Sequence, residues 1–514
     1  MHPDRSRSVA TLALTGIVAS LALLAILASN FRNVGPVAPT PGRLGLGPSA
    51  GVQGSASPEP PAISPPSGSP GADTLDDAKG IAEKVLTPLP DRIELYTGAV
   101  SVVSGQPITL HVSTTAVRYD YRVERLDATR SSGGRIVARS TARPGRDYRS
   151  RATFDSLTRT ARANWPVTDT VDTNGWLPGV YVVTATDTRG KTGQAIFVVR
   201  TPVLRADQPA FVFPALTEQA YNLWGGANLY AYRTPRAVRV SFERPNAQDD
   251  GKGLWGRGDD RILAWLQVHG LPLQYTTDYD LSMAPPTVAP RLLIFGHHSE
   301  YVGAGLYDFV ERHVNVSGDM NVLNFGANSF YWQIRQATPA TPGAPMDIIC
   351  YRNPTADPLA KADPGSTTTR WRDPPLDRPE GRLFGAQYVG VLGDGHTGYD
   401  DIVSAQMPEA LLAGTGWHAG TVISGLLLGE GDLVYPGSDG IAIMDGHGLD
   451  TRGRPLQTSV TIRTSGAGAR VFDAGTFAWG QRLTTADTGP GLASAGFDRF
   501  NLNVLTWLGF PATR

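Results

Sequence analysis

From about residue 205 onward, short apolar runs alternate with segments of helical periodicity, and this alternation restricts the fold more than any other feature of the chain. The predicted strands are Leu292–Phe295, 321–325, 460–463 and Arg470–Asp473. The predicted helices are 261–269, 306–314 and 500–508. Strands that alternate with helices indicate an α/β domain with a largely parallel sheet and crossover helices, which we place at 205–514.

The preceding stretch, from 92 to 201, has the pattern of β structure. Turn signals separate five runs of strand length, at 108–112, 119–126, 135–139, 180–186 and 194–200. Several short strands in one segment predict an immunoglobulin-like β-sandwich at 90–203. We expect this sandwich to be a spacer or a binding module without chemistry of its own.

An uncharged apolar segment at 9–28 follows Arg5 and Arg7. About 20 such residues are enough to cross a bilayer as a helix, so we predict a transmembrane anchor at 1–32 and favour it over a cleavable signal peptide. The arginines predict a single-pass protein of the cell membrane, with a cytoplasmic N-terminus and an extracytoplasmic bulk. Residues 33–85 are rich in Pro, Gly and Ser and predict a disordered, flexible linker.

Charge and cysteine content narrow the class of partner. The net charge is −1, which gives no electrostatic case for binding nucleic acid. The single cysteine, Cys350, excludes an internal disulfide and a cysteine zinc cluster, and its apolar surroundings predict a buried thiol. The remaining expected partners are a small-molecule or envelope substrate, the membrane through the N-terminal helix, and a second copy of the chain.

Two tyrosines stand just after predicted strands. His298-Ser-Glu-Tyr301 follows Leu292–Phe295, and Asn328-Ser-Phe-Tyr-Trp332 follows the run at 322–325. If these runs are neighbouring strands, both phenols lie at the carboxyl rim of one sheet, where ligand sites of open α/β sheets are found. Tyrosine is an uncommon acid–base residue but a good oxygen ligand for a hard metal ion.

Three nearby features leave two interpretations open. His298 is as well explained by a structural hydrogen bond as by function, and its neighbour His297 would face the other side of a strand. Glu430 follows the apolar run 422–428 and belongs either to a site or to a surface turn. The segment 367–380, with Arg370 and Arg372, contains three prolines and cannot be helical, so it is either a rigid ion-paired loop or a pocket wall.

Several pieces of the chain together resemble the large (beta) subunit family of N,N-dimethylformamidase. They are Ala220-Tyr-Asn-Leu-Trp-Gly-Gly-Ala-Asn-Leu-Tyr230 and the segments 236–244, 296–301, 326–335, 367–380 and 470–479. They occur in order over about 215–510. The resemblance implies a glutamine-amidotransferase-like (flavodoxin-like) α/β domain behind a β-sandwich.

The resemblance also implies a mononuclear iron site and a role for each residue around it. The implied Fe(III) ligands are Tyr301, Tyr331 and Glu430. The implied proton carriers are His298, Glu300 and Asp432. The residues implied to support the ligands are Asn328, Trp332, Arg370 and Arg372.

The chemistry of this set fits the implied metal. Phenolate and carboxylate are hard anionic donors, and three of them balance a trivalent charge. The metal would polarise an amide and lower the pKa of bound water, so the implied reaction is hydrolysis of a C–N bond.

The chain departs from the family pattern beside one implied ligand. Ser299 stands where the family has aspartate, and Val302 replaces the tryptophan that commonly follows the tyrosine. Two functions are therefore weighed. One is a membrane-anchored, exported, iron-dependent hydrolase of an amide or related C–N bond, with a substrate other than dimethylformamide. The other is a non-catalytic cell-envelope or carbohydrate-binding surface protein with a degenerate site.

Overall fold

The computed structural model describes residues 92–130, 134–230, 236–392, 399–427, 429–483 and 495–511. The predicted anchor at 1–32 and the predicted linker at 33–85 lie outside these residues. None of the helices in the described ranges has both the length and the apolar character needed to cross a membrane.

The first part of the described chain consists of two antiparallel sheets and a small hairpin. Its strands are β1 (Ile93–Thr97), β2 (Ser101–Val102), β3 (Ile108–Thr114), β4 (Arg118–Leu126), β5 (Gly134–Pro144), β6 (Thr153–Asp155), β7 (Thr160–Arg162), β8 (Asp169–Val171), β9 (Gly179–Asp187) and β10 (Thr192–Val199). The sheets have the orders β1-β3-β8 and β2-β10-β9-β4-β5, and only the short β2–β10 pairing is parallel. All five strands predicted here are confirmed, as β3, β4, β5, β9 and β10.

The second part mixes strands and helices. Its strands are β11 (Ala210–Phe213), β12 (Arg239–Val240), β13 (Gln274–Thr277), β14 (Leu292–Phe295), β15 (Tyr301–Gly303), β16 (Asn321–Asn324), β17 (Trp332–Ala337), β18 (Asp347–Ile349), β19 (Ala386–Val391), β20 (Tyr399–Val403), β21 (Val422–Leu427), β22 (Glu430–Val434), β23 (Gly440–Leu449), β24 (Pro455–Thr464) and β25 (Arg470–Asp473). Its helices are α1 (Ala215–Tyr221), α2 (Asp259–Val268), α3 (Asp278–Met283), α4 (Ala304–Glu311), α5 (Gly381–Phe384), α6 (Glu409–Leu412), α7 (Ala478–Arg482) and α8 (Ala495–Trp507).

The predicted elements of this part are present, with small changes at their ends. The helices expected at 261–269, 306–314 and 500–508 are α2, α4 and α8, and α4 continues into a π-helical turn at Arg312–Val316. The strands expected at Leu292–Phe295 and Arg470–Asp473 have those bounds in β14 and β25.

The central sheet has nine strands in the order β13-β11-β14-β16-β25-β24-β23-β20-β21. The first five strands are mutually parallel, and the remaining pairings are antiparallel. The prediction of a largely parallel sheet is therefore wrong, and the sheet is mixed. The connections from β23 to β24 and from β24 to β25 are only a few residues long, which suffices for a hairpin but not for a parallel crossover.

Strands β11 and β14 are apolar at every position because buried cores pack against both of their faces. Along β14, Leu292 and Ile294 face one core, with Phe211, Trp265 and Phe472. Leu293 and Phe295 face the other core, with Val212, Leu306 and Val322. This period of two is typical of strands that are buried on both sides, and it explains why they appear in the sequence as unbroken apolar runs.

The β part packs directly on the α/β part. Val180 and Val198, from β9 and β10, belong to the same buried core as Phe211 of the central sheet. Backbone and side-chain hydrogen bonds cross the boundary, such as Ala163 N to Glu243 O at 2.8 Å.

A carboxyl group is buried without a hydrogen-bond partner in the antiparallel half of the sheet. Asp401, on β20, is fully buried, and neither of its carboxyl oxygens has a partner. Burial raises its pKa to about 8, and the charges of Asp445 and Asp400 act in the same direction. The folded protein therefore holds this proton more tightly than the unfolded chain does.

We expect Asp401→Asn to remove a pH dependence of stability. Because the pKa of Asp401 is raised on folding, the stability that its proton provides is full below about pH 4 and is lost as the pH rises toward 8. Above pH 8 the variant should be more stable than the wild type by on the order of 2–5 kcal/mol. Urea unfolding at several pH values measures this, with the exposed Asp363→Asn as the control for an equal charge change. A wild-type stability that does not fall from pH 5 to pH 9 relative to the variant would contradict the assignment.

Candidate functional site

Parallel pairing of β14 and β16 brings the two tyrosine segments together. The register aligns Phe295 with Asn324, and the chains that leave the two strands stay in contact. Backbone N–H groups of Phe330 and Tyr331 donate to the carbonyl oxygens of Ser299 and Glu300 at 2.8 and 2.9 Å. The two apolar runs are thus neighbouring strands, which was the condition for placing both tyrosine segments at one rim of the sheet.

The two segments then pair again as strands of a second sheet. β15 and β17 are parallel, with Tyr301 opposite Trp332. The approach before them is too close for a side chain at Gly326, where a Cβ would lie 2.2 Å from the carbonyl oxygen of His297. A glycine here is therefore a steric requirement of the site.

A buried carboxylate, Glu300, forms the first centre of the site. Its Oε2 accepts a hydrogen bond from the Tyr221 hydroxyl at 2.6 Å and lies 3.4 Å from Nε2 of His298. Its Oε1 accepts from the indole N–H of Trp332 at 2.9 Å, and Nη2 of Arg352 lies 4.0 Å away. Only 1% of Glu300 is exposed, so these groups take the place of water around the carboxylate.

The second centre is Asn328, which joins two carboxyl groups. Its side-chain amide donates to Oε2 of Glu430 at 2.6 Å, and its backbone N–H donates to Oδ1 of Asp432 at 2.9 Å. Asn328 has a φ of 51°, a left-handed conformation that asparagine tolerates better than most residues. Phe330, two residues on, also has a positive φ of 58°. Strained backbone of this kind concentrates at functional sites.

Burial dominates the acidity of the two carboxyl groups on Asn328. It raises the pKa of Glu430 to about 7, against the lowering effect of His298. It raises the pKa of Asp432 to about 7 as well, against the backbone N–H of Asn328 and the charge of Arg372. Both groups can therefore take up or release a proton near neutral pH.

His298 links the two centres. Burial alone would lower its pKa, but the hydrogen bond with Glu300 and the charges of Glu430 and Glu300 raise it above the ordinary value. His297 behaves in the opposite way, since burial lowers its pKa to about 3. Its backbone N–H donates to Asp259, and its ring lies 4.6 Å from that of Phe477. Of the pair, only His298 contacts Glu300.

The two tyrosines differ in their surroundings. Tyr301 is fully buried, and its hydroxyl has no hydrogen-bond partner. Burial raises the pKa of its phenol far above the usual range, which the Arg352 charge partly offsets. Tyr331 is half-buried, and its hydroxyl accepts a hydrogen bond from Nη1 of Arg370 at 3.4 Å. The guanidinium of Arg372 lies 5.1 Å from the centre of the Tyr331 ring.

The segment 367–380 is non-helical, as predicted, and runs along Tyr331. The backbone N–H of Trp371 donates to the carbonyl oxygen of Tyr331 at 3.0 Å, and Trp371 itself is fully buried. Arg370 pairs with Asp373, and Arg372 pairs with Glu380. The segment is thus an ion-paired loop, and it also brings two guanidinium groups to the site.

Glu430 and Asp432 enter the site from a strand that the sequence did not predict. Glu430 begins β22, which pairs with β19 and places Asp432 opposite Tyr388. The Tyr388 ring lies 5.2 Å from that of Tyr331, and burial followed by the charge of Glu430 raises its pKa well above the usual value. Tyr388 therefore lies between Asp432, its partner across the strand pair, and the ring of Tyr331.

Four residues at the site were not among the predicted ones: Tyr221, Arg352, Tyr388 and Asp473. Tyr221 lies in the segment 220–230 that carries the family resemblance, so a signal for it was present. Asp473 ends β25, and its Oδ1 accepts from the Asn324 side chain at 2.6 Å. Nothing local marks Arg352 or Tyr388, because their contacts are with residues distant in sequence.

The two departures from the family pattern occupy buried positions. Ser299 is 1% exposed, and its hydroxyl has no hydrogen-bond partner. Val302 is fully buried in the core beneath the central sheet. Among the described residues there is no group of three or more His, Cys, Asp or Glu side chains arranged to hold a metal.

The fold and site define an α/β protein with a β part in front of it and a buried cluster of carboxyl groups and phenols. A family model for the C-terminal region of the N,N-dimethylformamidase beta subunit-like proteins matches residues 120–491. The chain therefore belongs to this family, as the sequence motifs indicated, and the family points to a hydrolase-type function.

Other comparisons add little. No curated protein matches the chain significantly. A superoxide reductase (neelaredoxin) from Ignicoccus hospitalis is 12% identical over 24% of this chain and 90% of its own, with a TM-score of 0.14. A cycloisomaltooligosaccharide glucanotransferase from Paenibacillus sp. is 10% identical over 51% of this chain and 34% of its own, with a TM-score of 0.15. A β-glucuronidase from Ruminococcus gnavus is 11% identical over 46% and 29%, with a TM-score of 0.14. Scores this low carry no argument about fold or function.

We expect Tyr221→Phe to destabilise the protein by about 1.5–3 kcal/mol, the usual net contribution of a hydrogen bond to a charged group. The substitution removes the 2.6 Å donor to Glu300 and leaves a buried carboxylate oxygen with less support. Denaturant unfolding measures the loss. Tyr121→Phe is the matched control, since its hydroxyl donates to Asp169 over a longer 3.5 Å in a part-buried position. Equal losses of unfolding free energy in the two variants would show that the hydrogen bond to Glu300 contributes no more stability than the one to Asp169.

Proposed function

We propose that this chain is a metal-dependent hydrolase that cleaves an amide or a related C–N bond. Family membership supports the hydrolase class, and the Tyr301 phenol is the observation that supports a bound metal. It is fully buried, lacks a hydrogen-bond partner, and its ring lies 6.0 Å from that of Tyr221 beside Glu300. A buried polar group without a partner costs about 1–3 kcal/mol, so a ligand that completes it is the natural explanation.

In this proposal Tyr301, Tyr331 and Glu430 hold a ferric ion. The donor set fits such an ion, because phenolate and carboxylate are hard anionic ligands and three of them balance its charge. The bound ion would supply Lewis-acid polarisation of the amide carbonyl and a water molecule of lowered pKa.

The other residues have roles that their own contacts support. His298 and Glu300 are within 3.4 Å and form the proposed proton-carrying pair. Asp432, with a pKa of about 7, is the proposed second proton carrier. Asn328 and Trp332 hold the carboxylates through hydrogen bonds, while Arg370 and Arg372 hold Tyr331 in place.

The finer aspects of the architecture belong to the same proposal. We assign an immunoglobulin-like type to the β part and a glutamine-amidotransferase-like (flavodoxin-like) type to the α/β part. The two packed sheets at 93–199 and the five parallel strands with helices on both faces support these assignments.

We expect the full-length protein, purified with iron, to absorb visible light through a tyrosinate-to-iron band. Tyr301→Phe and Tyr331→Phe should each weaken or abolish the band and lower the iron content, because each removes a proposed ligand. Absorption spectra and metal analysis measure both effects.

The matched control for this experiment is Tyr96→Phe. Tyr96 is a buried tyrosine of the β part whose hydroxyl donates to the Trp165 carbonyl, so its loss should leave colour and iron content unchanged. A colourless wild type that takes up no iron would reject the proposal and favour the non-catalytic surface protein.

We also propose that the protein is anchored in the cell membrane with its bulk outside the cytoplasm. Arg5, Arg7 and the apolar segment 9–28 support this placement. Membrane fractionation should recover the full-length protein with the membranes, and external protease should digest it in cells with a permeabilised outer barrier. Deleting 9–28 should release it. Recovery of the wild type in the cytosolic fraction would contradict the proposed membrane anchor.

A further inference from the structure

Two arginines, Arg236 and Arg352, lie near each other just beyond a strand pair and beside Tyr301. Strands β12 and β18 are antiparallel, with Arg239 opposite Ile349. The backbone N–H of Cys350 donates to the Val238 carbonyl oxygen at 2.9 Å, which continues this register. The strand pairing ends there, but Nη2 of Arg236 donates to the carbonyl oxygen of Tyr351, the residue before Arg352, so the two arginines lie near each other. Like charges brought close together are unfavourable unless something between them is negative.

Arg352 is held in a defined position by aromatic rings. Its guanidinium carbon lies 4.2 Å from the ring centre of Trp332, 4.9 Å from that of Tyr230 and 5.9 Å from that of Tyr301. Its φ is 58°, a left-handed conformation that a non-glycine residue rarely adopts. Although Nη2 lies 4.0 Å from Glu300, the buried Nε–H has no hydrogen-bond partner. The aromatic contacts thus fix a cation that still has a donor to offer.

Arg236 has even less to neutralise it. Its Nη2 donates to the carbonyl oxygen of Tyr351 at 2.8 Å. Its Nη1 is buried and has no hydrogen-bond partner, and no carboxylate in the described part of the chain forms an ion pair with it. Burial, and then the charge of Arg352, lower its pKa. A buried N–H group of a guanidinium that has no partner is costly, and a bound anion would relieve that cost.

We propose that Arg236 and Arg352 form a carboxylate-binding subsite, and that the substrate is an amide that carries a carboxylate group, of the N-acyl amino acid class. Both guanidinium groups have a buried N–H donor without a partner, and a carboxylate has two oxygens to accept from them. Arg352 also contacts Tyr301 and Glu300, so a substrate held here would lie next to the proposed metal ligands and proton carriers. The substrate assignment rests on the proposed hydrolase function, whereas the anion subsite does not.

The test compares two probes that differ only in charge. N-Acetylglycine carries a carboxylate, and N-acetylglycinamide replaces it with a neutral amide. Calorimetric titration of the full-length, metal-depleted protein should show the first probe binding at least about tenfold more tightly, as expected for charge-assisted hydrogen bonds. Added salt should weaken the preference.

Variants locate the effect. Arg236→Gln should abolish the preference for N-acetylglycine, because it removes one guanidinium whose known contact is a single backbone carbonyl. Arg122→Gln, an exposed arginine of the β part, is the matched charge control and should keep the preference. Equal binding of the two probes, or a preference that survives Arg236→Gln, would overturn the subsite.

A third probe separates a substrate subsite from a general anion site. Inorganic phosphate that binds as tightly as N-acetylglycine would overturn the assignment of a carboxylate-bearing amide. The iron colour is measured separately, on the full-length protein purified with iron. Selective binding of N-acetylglycine by a protein that takes up no iron would support the subsite and reject the metal-dependent hydrolase. Iron uptake without selective binding of N-acetylglycine would support the hydrolase and reject the subsite.

Discussion

The hydrogen bond from the Tyr221 hydroxyl to the buried Glu300 carboxylate is the contact on which the arrangement of the site depends. It joins α1, which follows β11 of the central sheet, to the chain that leaves β14. Trp332, from the neighbouring segment, donates a hydrogen bond from its indole N–H to the other oxygen of the same carboxylate. Because a buried charge without hydrogen-bond partners is costly, these contacts favour the observed packing of the three elements. Tyr301, the next residue, is carried into the interior with its hydroxyl unpaired.

Two kinds of group meet around this carboxylate. On one side, Asn328 holds Glu430 and Asp432, whose pKa values burial raises to about 7. On the other side, Arg352 packs against aromatic rings and lies near Arg236. The proposed proton transfer and metal binding use the first side, and the proposed recognition of a substrate carboxylate uses the second. Each side contains a residue with a positive φ, Asn328 on the first and Arg352 on the second. The surrounding contacts hold these residues in their strained backbone conformations.

Much of the fold follows from local pattern. The apolar runs that became β14 and β25 were predicted with their observed bounds, and the proximity of the two tyrosine segments followed from the expected pairing of β14 with β16. The direction of the later strands did not follow. The runs at 460–463 and Arg470–Asp473 look alike in sequence whether they are joined by a crossover or by a hairpin. Only their short connection and their packing make β24 antiparallel to β25.

The sequence by itself determined the strand and helix positions, the burial of Cys350, the family, and the candidate residues Tyr301, Tyr331 and Glu430. These depend on local periodicity and on motifs that are short and contiguous. The tertiary structure alone decided which groups meet: Tyr221 reaches Glu300 across 79 residues, and Asn328 reaches Glu430 across 102. It likewise brought Arg236 close to Arg352, 116 residues further along the chain. Such contacts depend on how strands are ordered and aligned in space, because no short stretch of sequence contains both partners.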